Sequence, residues 1–306
     1  MHNLKPNPVS SVASLRKRVT RLLTPKDQKT GGHTKQQSLE ILSTPGIEHT
    51  IDYPSKHVTE FLNFLTDALP EGDVYLFGGL LRDLALLGGK GFNSDIDIVV
   101  EGNWSRCVEY LKHLGAKKNK FGGYRLIIDD WPVDIWSAPE SWAIRQGLVP
   151  YKGIASLMET TVLNWDAILM NWRTGTFIFR NNYFEDLKNR FLDIVLKENP
   201  DPLGMAVRVF RHFCLKDAKQ ISPSAAEYLA DCTKAYSFDE IIKREKRSYG
   251  NNFIEPNVYQ FFSEVRKADG ADLASRYNIA RDIMEKKLSL TKGVVSDIYP
   301  SDLFSI

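Results

Sequence analysis

Cysteine is scarce in this sequence of 306 residues, with only Cys107, Cys214 and Cys232. Their number is odd and no two form a C-x-x-C pair, which excludes a disulfide framework and a zinc cluster. Long apolar runs are also missing: no stretch of about 18 apolar residues occurs, so the sequence predicts no membrane span. The N-terminus lacks the apolar core of a secretory signal. A cytoplasmic, reducing compartment is therefore expected.

A large net charge is lacking as well, since 40 Lys and Arg residues stand against 38 Asp and Glu residues. The distribution is uneven: residues 1–35 hold eight basic residues and one acid, which leaves 32 basic and 37 acidic residues elsewhere. The sequence thus predicts a basic, partly disordered leader over residues 1–50, in front of a mildly acidic globular chain. An Arg-rich, Ser-bearing leader is also typical of an organelle transit peptide, and that alternative stays open.

Within the leader, apolar residues recur at helical spacing, which predicts a short basic amphipathic helix. Its apolar positions are Val12, Leu15, Val19, Leu22 and Leu23, beside Arg16, Lys17, Arg18 and Arg21. Such a helix suits contact with RNA, with a protein partner through residues 11–23, or with the body of the protein. A mobile, solvated leader is an equally open interpretation.

Beyond residue 55, strand and helix patterns alternate as far as residue 185. Apolar or alternating runs predict strands at residues 74–77, 95–100, 124–129, 132–136, 160–172 and 176–180. Helical patterns occupy residues 57–69, 80–87 and 105–114, and dominate after residue 185. The sequence therefore predicts an α+β fold. Its expected parts are a mixed-sheet head over residues 51–185 and a helical nucleotide- and acceptor-binding domain over residues 186–306.

The most informative segment is a predicted strand that ends in two glycines and is followed directly by a helix. It comprises Leu76-Phe77-Gly78-Gly79-Leu80-Leu81-Arg82-Asp83. Backbone N–H groups at such a helix start have no partner within the helix and favour phosphate oxygens, and glycine permits close approach. Arg82, one turn into the helix, can supply a cation for phosphate or form an internal ion pair.

Two carboxylates follow at a spacing typical of one strand face. Asp95 and Asp97 lie two residues apart, so both are expected on the same side of a strand. Asp134, flanked by apolar residues on a later strand, is the candidate third carboxylate. Such oxygen ligands suit Mg²⁺, and a two-metal site of this kind is typical of nucleotidyl transfer. Each feature also has a structural interpretation: a tight turn, a solvated strand face, or a carboxylate that caps an edge or pairs with Arg145.

In combination, these segments resemble the head domain of class II poly(A) polymerases and CCA-adding tRNA nucleotidyltransferases, in the polymerase-beta-like nucleotidyltransferase superfamily. The resemblance covers roughly residues 70–215. The positions that match its first motif are Gly78, Gly79, Arg82, Asp83, Asp95 and Asp97. Val133-Asp134-Ile135 is similar to the strand of the third carboxylate, and Arg208-Val209-Phe210-Arg211 to a helix that helps to bind the incoming nucleotide.

The resemblance implies a Mg²⁺-dependent nucleotidyltransferase with a two-metal site, which moves NMP from an NTP to an acceptor hydroxyl. An RNA or tRNA 3′ end is the first expectation for the acceptor. Asp95, Asp97 and Asp134 are the implied catalytic and metal-binding residues. The implied nucleotide-binding residues are Gly78, Gly79, Arg82, Asp83, Arg208 and Arg211.

The chain also departs from the family pattern. Thr160-Thr161-Val162 replaces an Arg-Arg-Asp segment, and Gly204 and Met205 stand where the family has acids that select the base. These departures argue against ordered addition of C, C and A. Two further interpretations stay open: a toxin, defence or antibiotic-modifying effector with a tRNA, protein or small-molecule acceptor, and a non-catalytic nucleotide- or RNA-binding module.

A basic run at residues 243–247 is followed by several aromatic residues. Cations interleaved with aromatics are typical of proteins that bind single-stranded RNA. A solvated helix face followed by core aromatics is the alternative, and it is favoured slightly.

Overall fold

The computed structural model describes residues 6–24, 57–92, 94–128, 130–268 and 272–290. The chain divides into two compact units. The sheet unit comprises Val9–Thr161 and Asp166–Asn181, and the helical unit comprises Met1–Pro8, Val162–Trp165 and Asn182–Ile306. Most of the predicted leader lies outside the described residues. Within the described ranges, no helix has the length and apolar character that crossing a membrane requires.

The sheet unit is built on one mixed β-sheet. Its strands are β1 (Asp73–Phe77), β2 (Ile96–Glu101), β3 (Lys117–Lys118), β4 (Tyr124–Ile128), β5 (Trp131–Ser137), β6 (Ile168–Asn171) and β7 (Phe177–Phe179). Their order across the sheet is β3-β4-β5-β2-β1-β6-β7. Strands β2 and β5 are parallel, and the other neighbouring pairs are antiparallel. The predicted α+β class with a mixed sheet is confirmed.

Helices pack against this sheet. Those of the sheet unit, within the described ranges, are α1 (Val12–Leu23), α2 (Val58–Ala68), α3 (Gly79–Leu86), α4 (Trp104–His113) and α5 (Trp142–Arg145). Helix α3 contacts β1 and β2, where Leu76 and Ile98 are fully buried. Because side chains alternate along a strand, the residues between these positions belong to the opposite face.

The opposite face holds a second apolar cluster. Tyr75, Val99 and Leu169 come from three strands and pack with Leu157 and Met158, which lie in a 3-10 helix at Ile154–Glu159. Asp97 lies two residues before Val99 and therefore shares this face with it. This face of the sheet is therefore apolar around Val99 and carries a charged residue, Asp97, near the start of β2.

Helix α1 packs on its own unit. Leu15, Val19 and Leu23 are buried, the helix contacts α3, and Arg18 Nη1 donates to the carbonyl oxygen of Leu84 at 2.7 Å. Of the three contacts considered for this helix, the structure thus shows the one with the body of the protein. A protein partner through residues 11–23 stays a prediction, and it would have to use the polar side of the helix.

The predicted strand over residues 160–172 is wrong in its first part. Strand β6 begins only at Ile168, and Asn164–Asp166 forms a 3-10 turn. The reason is the side chain of Asn164, which donates to Asp186 and to the carbonyl oxygen of Phe191 and accepts from the N–H of Asp193. A side chain that binds backbone groups in this way competes with a strand ladder. The later part of the segment does form a strand, which pairs antiparallel with β7.

The helical unit contains the helices expected from the periodicity. They are α6 (Tyr183–Asn189), α7 (Pro202–Leu215), α8 (Pro223–Ala235), α9 (Phe238–Tyr249), α10 (Glu255–Lys267) and α11 (Leu273–Leu290). Strands β8 (Phe191–Leu192) and β9 (Gln220–Ile221) form a short parallel pair. The start of α9 is fixed by a capping box between Ser237 and Glu240. Phe210 and Phe213 of α7 pack edge-on against Phe261 of α10 in the core of this unit.

Candidate active site

The turn at Gly78 and Gly79 joins β1 to α3. Gly78 has φ +59° and ψ −113°, a region that residues with a Cβ rarely adopt. A Cβ on Gly79 would lie 3.1 Å from Oγ of Ser94, so this position permits a close approach that a larger residue would hinder. The first N–H groups of α3 have no acceptor within the helix, and they lie at its positive end. The predicted phosphate-binding turn thus has the backbone that the sequence implied.

Ser94 lies beside this turn and was given no role by the sequence. Its Oγ is buried and has no hydrogen-bond partner among the described residues. A buried hydroxyl without a partner costs about 1–3 kcal/mol. Because this atom lies against Gly79 at a helix start, an anion bound there would give it an acceptor. Nothing in the sequence marks Ser94 as a site residue, because a serine before an aspartate is common and its burial depends on the fold.

The register of the sheet brings the predicted carboxylates together. Asp97 of β2 is in register with Asp134 of β5 and with Phe77 of β1. Residues in register share a sheet face, and neighbouring strands lie about 4.8 Å apart. Gly78 directly follows Phe77, so the glycine turn begins next to Asp97 in the sheet. Asp95 precedes β2, and its carboxylate is linked to that of Asp134 through one shared arginine.

That shared residue is Arg125 of β4, which the sequence analysis did not identify. Its Nε donates to Asp134 Oδ1 at 2.8 Å, and its Nη2 donates to Asp95 Oδ2 at 2.6 Å and to Asp134 Oδ2. The hydrogen bond with Asp134 raises the pKa of Arg125 despite partial burial. The partner of Asp134 is therefore Arg125, rather than the Arg145 considered above.

A signal for this pairing was present in the sequence. Two residues separate Ile128 from Trp131, and a connection of that length fixes the register of a hairpin. Counting back from it places Arg125 opposite Asp134, which is the observed register. This count requires the strand ends at Ile128 and Trp131; the predicted ends at residues 129 and 132 would place Ile127 opposite Asp134, so the structure was needed to identify the arginine.

Arg82 belongs to a buried ion cluster. Its Nε donates to Asp83 Oδ1 at 2.8 Å and its Nη1 to Asp166 Oδ1. Burial opposes the charge of Arg82, but Asp166 and Asp83 outweigh this and raise its pKa. Of the two roles considered for Arg82, the structure shows the internal ion pair. Nη2 also points towards the glycine turn, since it lies 3.6 Å from where a Cβ on Gly79 would be.

Asp83 was expected among the nucleotide-binding residues. Its side chain is fully buried and bonds to Arg82. Any part that Asp83 takes in nucleotide binding is therefore exerted through the position of Arg82. A direct contact with a ligand would require this side chain to leave the core.

The carboxylate cluster has the donor atoms of a magnesium site but, within the part of the chain that the structure describes, not a complete set of ligands in place. Among the described residues, no group of three or more His, Cys, Asp or Glu side chains is arranged to hold a metal ion. The donor chemistry nevertheless fits, because carboxylate oxygens are preferred ligands of Mg²⁺ and the guanidinium of Arg125 already places a cation between Asp95 and Asp134. Arg125 is half exposed, so its ion pairs are weak enough to be exchanged. The residues fit a divalent cation once Arg125 releases them.

In the helical unit, the two arginines of α7 differ sharply in surroundings. Arg208 is exposed. Arg211 bonds to the buried carboxylate of Glu245 and to Asn251 Oδ1 at 2.9 Å, and its guanidinium lies 4.0 Å from the ring centroid of Tyr249. Arg211 thus has a structural role in its own unit. Its predicted contact with a nucleotide stays a prediction, as does that of Arg208.

The structure gives a physical reason for Gly204, one of the departures from the family pattern. Asp201 caps α7 by accepting from the N–H of Gly204 at 3.1 Å, and its carboxylate also pairs with Arg244. A Cβ on Gly204 would overlap that carboxylate. A side chain at this position would therefore displace the Asp201 cap and its pair with Arg244, and the neighbouring Met205 is buried.

Helix α9 contains the basic run at residues 243–247. Arg244 pairs with Asp201 and Glu245 is buried, whereas Lys243, Lys246 and Arg247 are exposed. Of the aromatics that follow, Phe261 and Phe262 are buried in the core while Tyr259 is exposed. These placements agree with the favoured interpretation of a solvated helix face followed by core aromatics.

No protein-family profile matches the sequence, and comparison with curated proteins gives no significant match. Solved structures do show similarity. A CCA-adding enzyme in an apo form is 18% identical, with a TM-score of 0.47 over 71% of this chain and 51% of the other. The Thermotoga maritima CCA-adding enzyme in complex with tRNA is 16% identical, with a TM-score of 0.45 over 76% of this chain and 69% of the other.

A third similar structure is a tRNA nucleotidyltransferase in complex with a primer tRNA and an incoming ATP analogue. It is 15% identical, with a TM-score of 0.45 over 76% of this chain and 84% of the other. The chain spans about half the length of the apo CCA-adding enzyme. Because the likeness is partial, a function for this chain has to be argued from its own residues.

Proposed function

We propose that this chain is a Mg²⁺-dependent nucleotidyltransferase that moves NMP from an NTP to an acceptor hydroxyl at an RNA or tRNA 3′ end. The observation that carries the proposal is the register of β1, β2 and β5. It sets Asp97 beside Asp134 and places the Gly78–Gly79 turn at the next position along β1. A phosphate-binding turn adjacent to paired carboxylates is the arrangement that nucleotidyl transfer requires.

Each part of the site has a role in the proposed reaction. The N–H groups at the start of α3 and the Ser94 hydroxyl bind and orient the triphosphate, while Arg82 stabilises the turn from within the core. Asp95, Asp97 and Asp134 would hold the metal. When bound, Mg²⁺ would supply positive charge for the triphosphate and favour deprotonation of the acceptor hydroxyl. Positioning and charge neutralisation provide most of the rate enhancement in such transfers, so few other groups are needed.

Loss of the carboxylates tests this proposal. We expect Asp95→Asn with Asp97→Asn to abolish transfer of label from NTPs while circular dichroism and the melting temperature stay close to the wild type. The matched control, Asp67→Asn with Asp239→Asn, changes charge equally at two exposed positions and is expected to keep full activity. Retained turnover in the Asp95/Asp97 variant would show that the assignment is wrong.

The acceptor is tested in the same assay. Each labelled NTP is incubated with Mg²⁺, total RNA and whole-cell protein. Label on RNA supports the proposal, label on protein would indicate an effector that modifies proteins, and absence of label would favour a binding module.

Nucleotide choice is a separate part of the proposal. A protein site reads a base by hydrogen-bonding groups that a wrong base leaves unpaired. Gly204 offers no side chain and Met205 is buried, so we expect relaxed choice or one fixed preference, without a switch from C to A. Primer extension on tRNA that lacks its 3′ end, with CTP and ATP supplied singly and together, measures this. Ordered addition of C, C and A would contradict it.

A further inference from the structure

One stretch of the sheet unit is basic and contains no acidic residues. Residues 110–128 contain no Asp or Glu in a chain that is mildly acidic beyond its leader. The exposed basic residues of this stretch are Lys112, His113, Lys117, Lys118, Lys120 and Arg125. They lie at the end of α4 and on the β3–β4 hairpin. Such a concentration of one charge attracts a polyanion.

The hairpin is aligned with the carboxylates. Lys117 is in register with Arg125, Arg125 with Asp134, and Asp134 with Asp97. At about 4.8 Å between strands, the Cα atom of Lys117 lies roughly 10 Å from that of Asp134, on the same sheet face. These four residues in register therefore form a line across the sheet, with cations at its edge and carboxylates at the candidate active site.

The tip of the hairpin holds an aromatic side chain in a fixed loop. The Asn119 side chain accepts from the N–H groups of Phe121 and Gly123 at 2.9 and 3.1 Å. A Cβ on Gly123 would lie 2.9 Å from the carbonyl oxygen of Ile135, so the loop is packed closely against β5. Phe121 is 43% exposed, and Lys120 Nζ lies 4.9 Å from its ring centroid.

We propose that the β3–β4 hairpin binds the single-stranded segment of the nucleic-acid acceptor next to its reacting 3′ end. Lys117 and Lys120 contact phosphates, and a base stacks on Phe121. An aromatic ring among cations provides both contacts that sequence-independent binding of single strands uses. An acidic protein surface would satisfy the lysines but would leave the exposed ring without a flat partner. This inference rests on the proposed function and extends it, because it names the surface that binds the acceptor.

The test measures binding without catalysis. Lys117→Gln, Lys120→Gln and Phe121→Ala are combined, and a fluorescent single-stranded RNA of about 12 nucleotides is titrated in EDTA by anisotropy. We expect affinity to fall about 30-fold or more, because two phosphate contacts and one stacked base are lost. The slope of log K against log salt should become shallower by about 1.4. Lys188→Gln with Lys234→Gln, at exposed positions of the helical unit, is the matched control and should bind as the wild type does.

The outcomes are distinct. A second variant with only Lys117→Gln and Lys120→Gln should show the altered salt slope and a smaller loss of affinity, even if the triple variant folds poorly. Affinity within twofold of the wild type, or a loss seen only after Lys243, Lys246 and Arg247 are replaced, would overturn the inference. RNA binding that depends on the hairpin, in a protein without transfer activity, would support the inference and count against the proposed function.

Discussion

Two clusters in the sheet unit each combine one arginine with two aspartates, but they differ in how far they are exposed to water. Arg82 with Asp83 and Asp166 lies in the core, where the arginine side chain is 7% exposed. Arg125 with Asp95 and Asp134 lies on an open sheet face, where the arginine side chain is 51% exposed. Breaking a buried ion pair leaves a charge without water, whereas an exposed pair contributes little. The buried cluster thus maintains the structure, and the exposed cluster is free to exchange its cation.

The largest difference is expected in stability. Arg82→Met should lower the free energy of unfolding by about 3–5 kcal/mol, because two carboxylates remain without their cation in or near the core. Arg125→Met should change it by at most about 1 kcal/mol. Urea unfolding followed by circular dichroism measures both. Equal losses in the two variants would remove the distinction between the clusters.

A similar contrast is expected between the arginines of α7. Arg211→Ala should destabilise the helical unit by about 3 kcal/mol, since Glu245 loses its partner in the core. Arg208→Ala should stay within about 0.5 kcal/mol because Arg208 is exposed. The family resemblance predicts that Arg208→Ala weakens NTP binding more than Arg211→Ala does. Calorimetric titration with a non-hydrolysable NTP checks this, and an unaltered affinity in the Arg208 variant would contradict it.

The exposed cluster should also respond to metal ions. Arg125→Met is expected to bind Mn²⁺ about tenfold more tightly than the wild type, because the carboxylates no longer have a competing guanidinium and their local charge is more negative. Electron paramagnetic resonance of free Mn²⁺ measures the affinity without any substrate. Arg180→Met, which removes another arginine paired with an acid at a partly exposed position, is the control. Unchanged or weaker binding in the Arg125 variant would show that the guanidinium does not compete with the metal.

The smallest expected effect is on salt dependence. Raising NaCl from about 0.1 to 1 M shortens the Debye length from roughly 10 to 3 Å. The stability difference caused by Arg125→Met should then fall towards zero, while that caused by Arg82→Met should persist. A salt-sensitive Arg82 variant would indicate that water reaches the buried cluster.

Local patterns in the sequence were sufficient to predict most of the secondary structure and to identify the carboxylates that the sheet brings together. The glycine pair, the alternation around Asp95 and Asp97, and the apolar flanks of Asp134 all depend on neighbours within a few residues. The break of the strand before Ile168 was missed because Asn164 finds its partners at Asp186, Phe191 and Asp193. Such contacts are fixed by tertiary structure, which overrides the local preference.

The roles of the charged residues were harder to predict for the same reason. Whether Arg82 binds a phosphate or an aspartate depends on Asp166, which is 84 positions away. The burial of the Ser94 hydroxyl depends on how the segment before β2 packs against α3. Spacing along the chain predicts neither the Arg82–Asp166 pair nor the burial of Ser94. The sequence therefore left both roles of Arg82 open and assigned no role to Ser94.

The parallel pairing of β2 with β5 also has a consequence for the order of folding. Asp97 and Asp134 are 37 positions apart, whereas Arg125 and Asp134 belong to one local hairpin. Local hairpins form earlier than pairings between distant strands. We therefore expect Asp134 to reach β2 already accompanied by Arg125, so that the acidic cluster is assembled together with its counter-charge. A folding chain thereby avoids an intermediate in which three carboxylates meet without a cation.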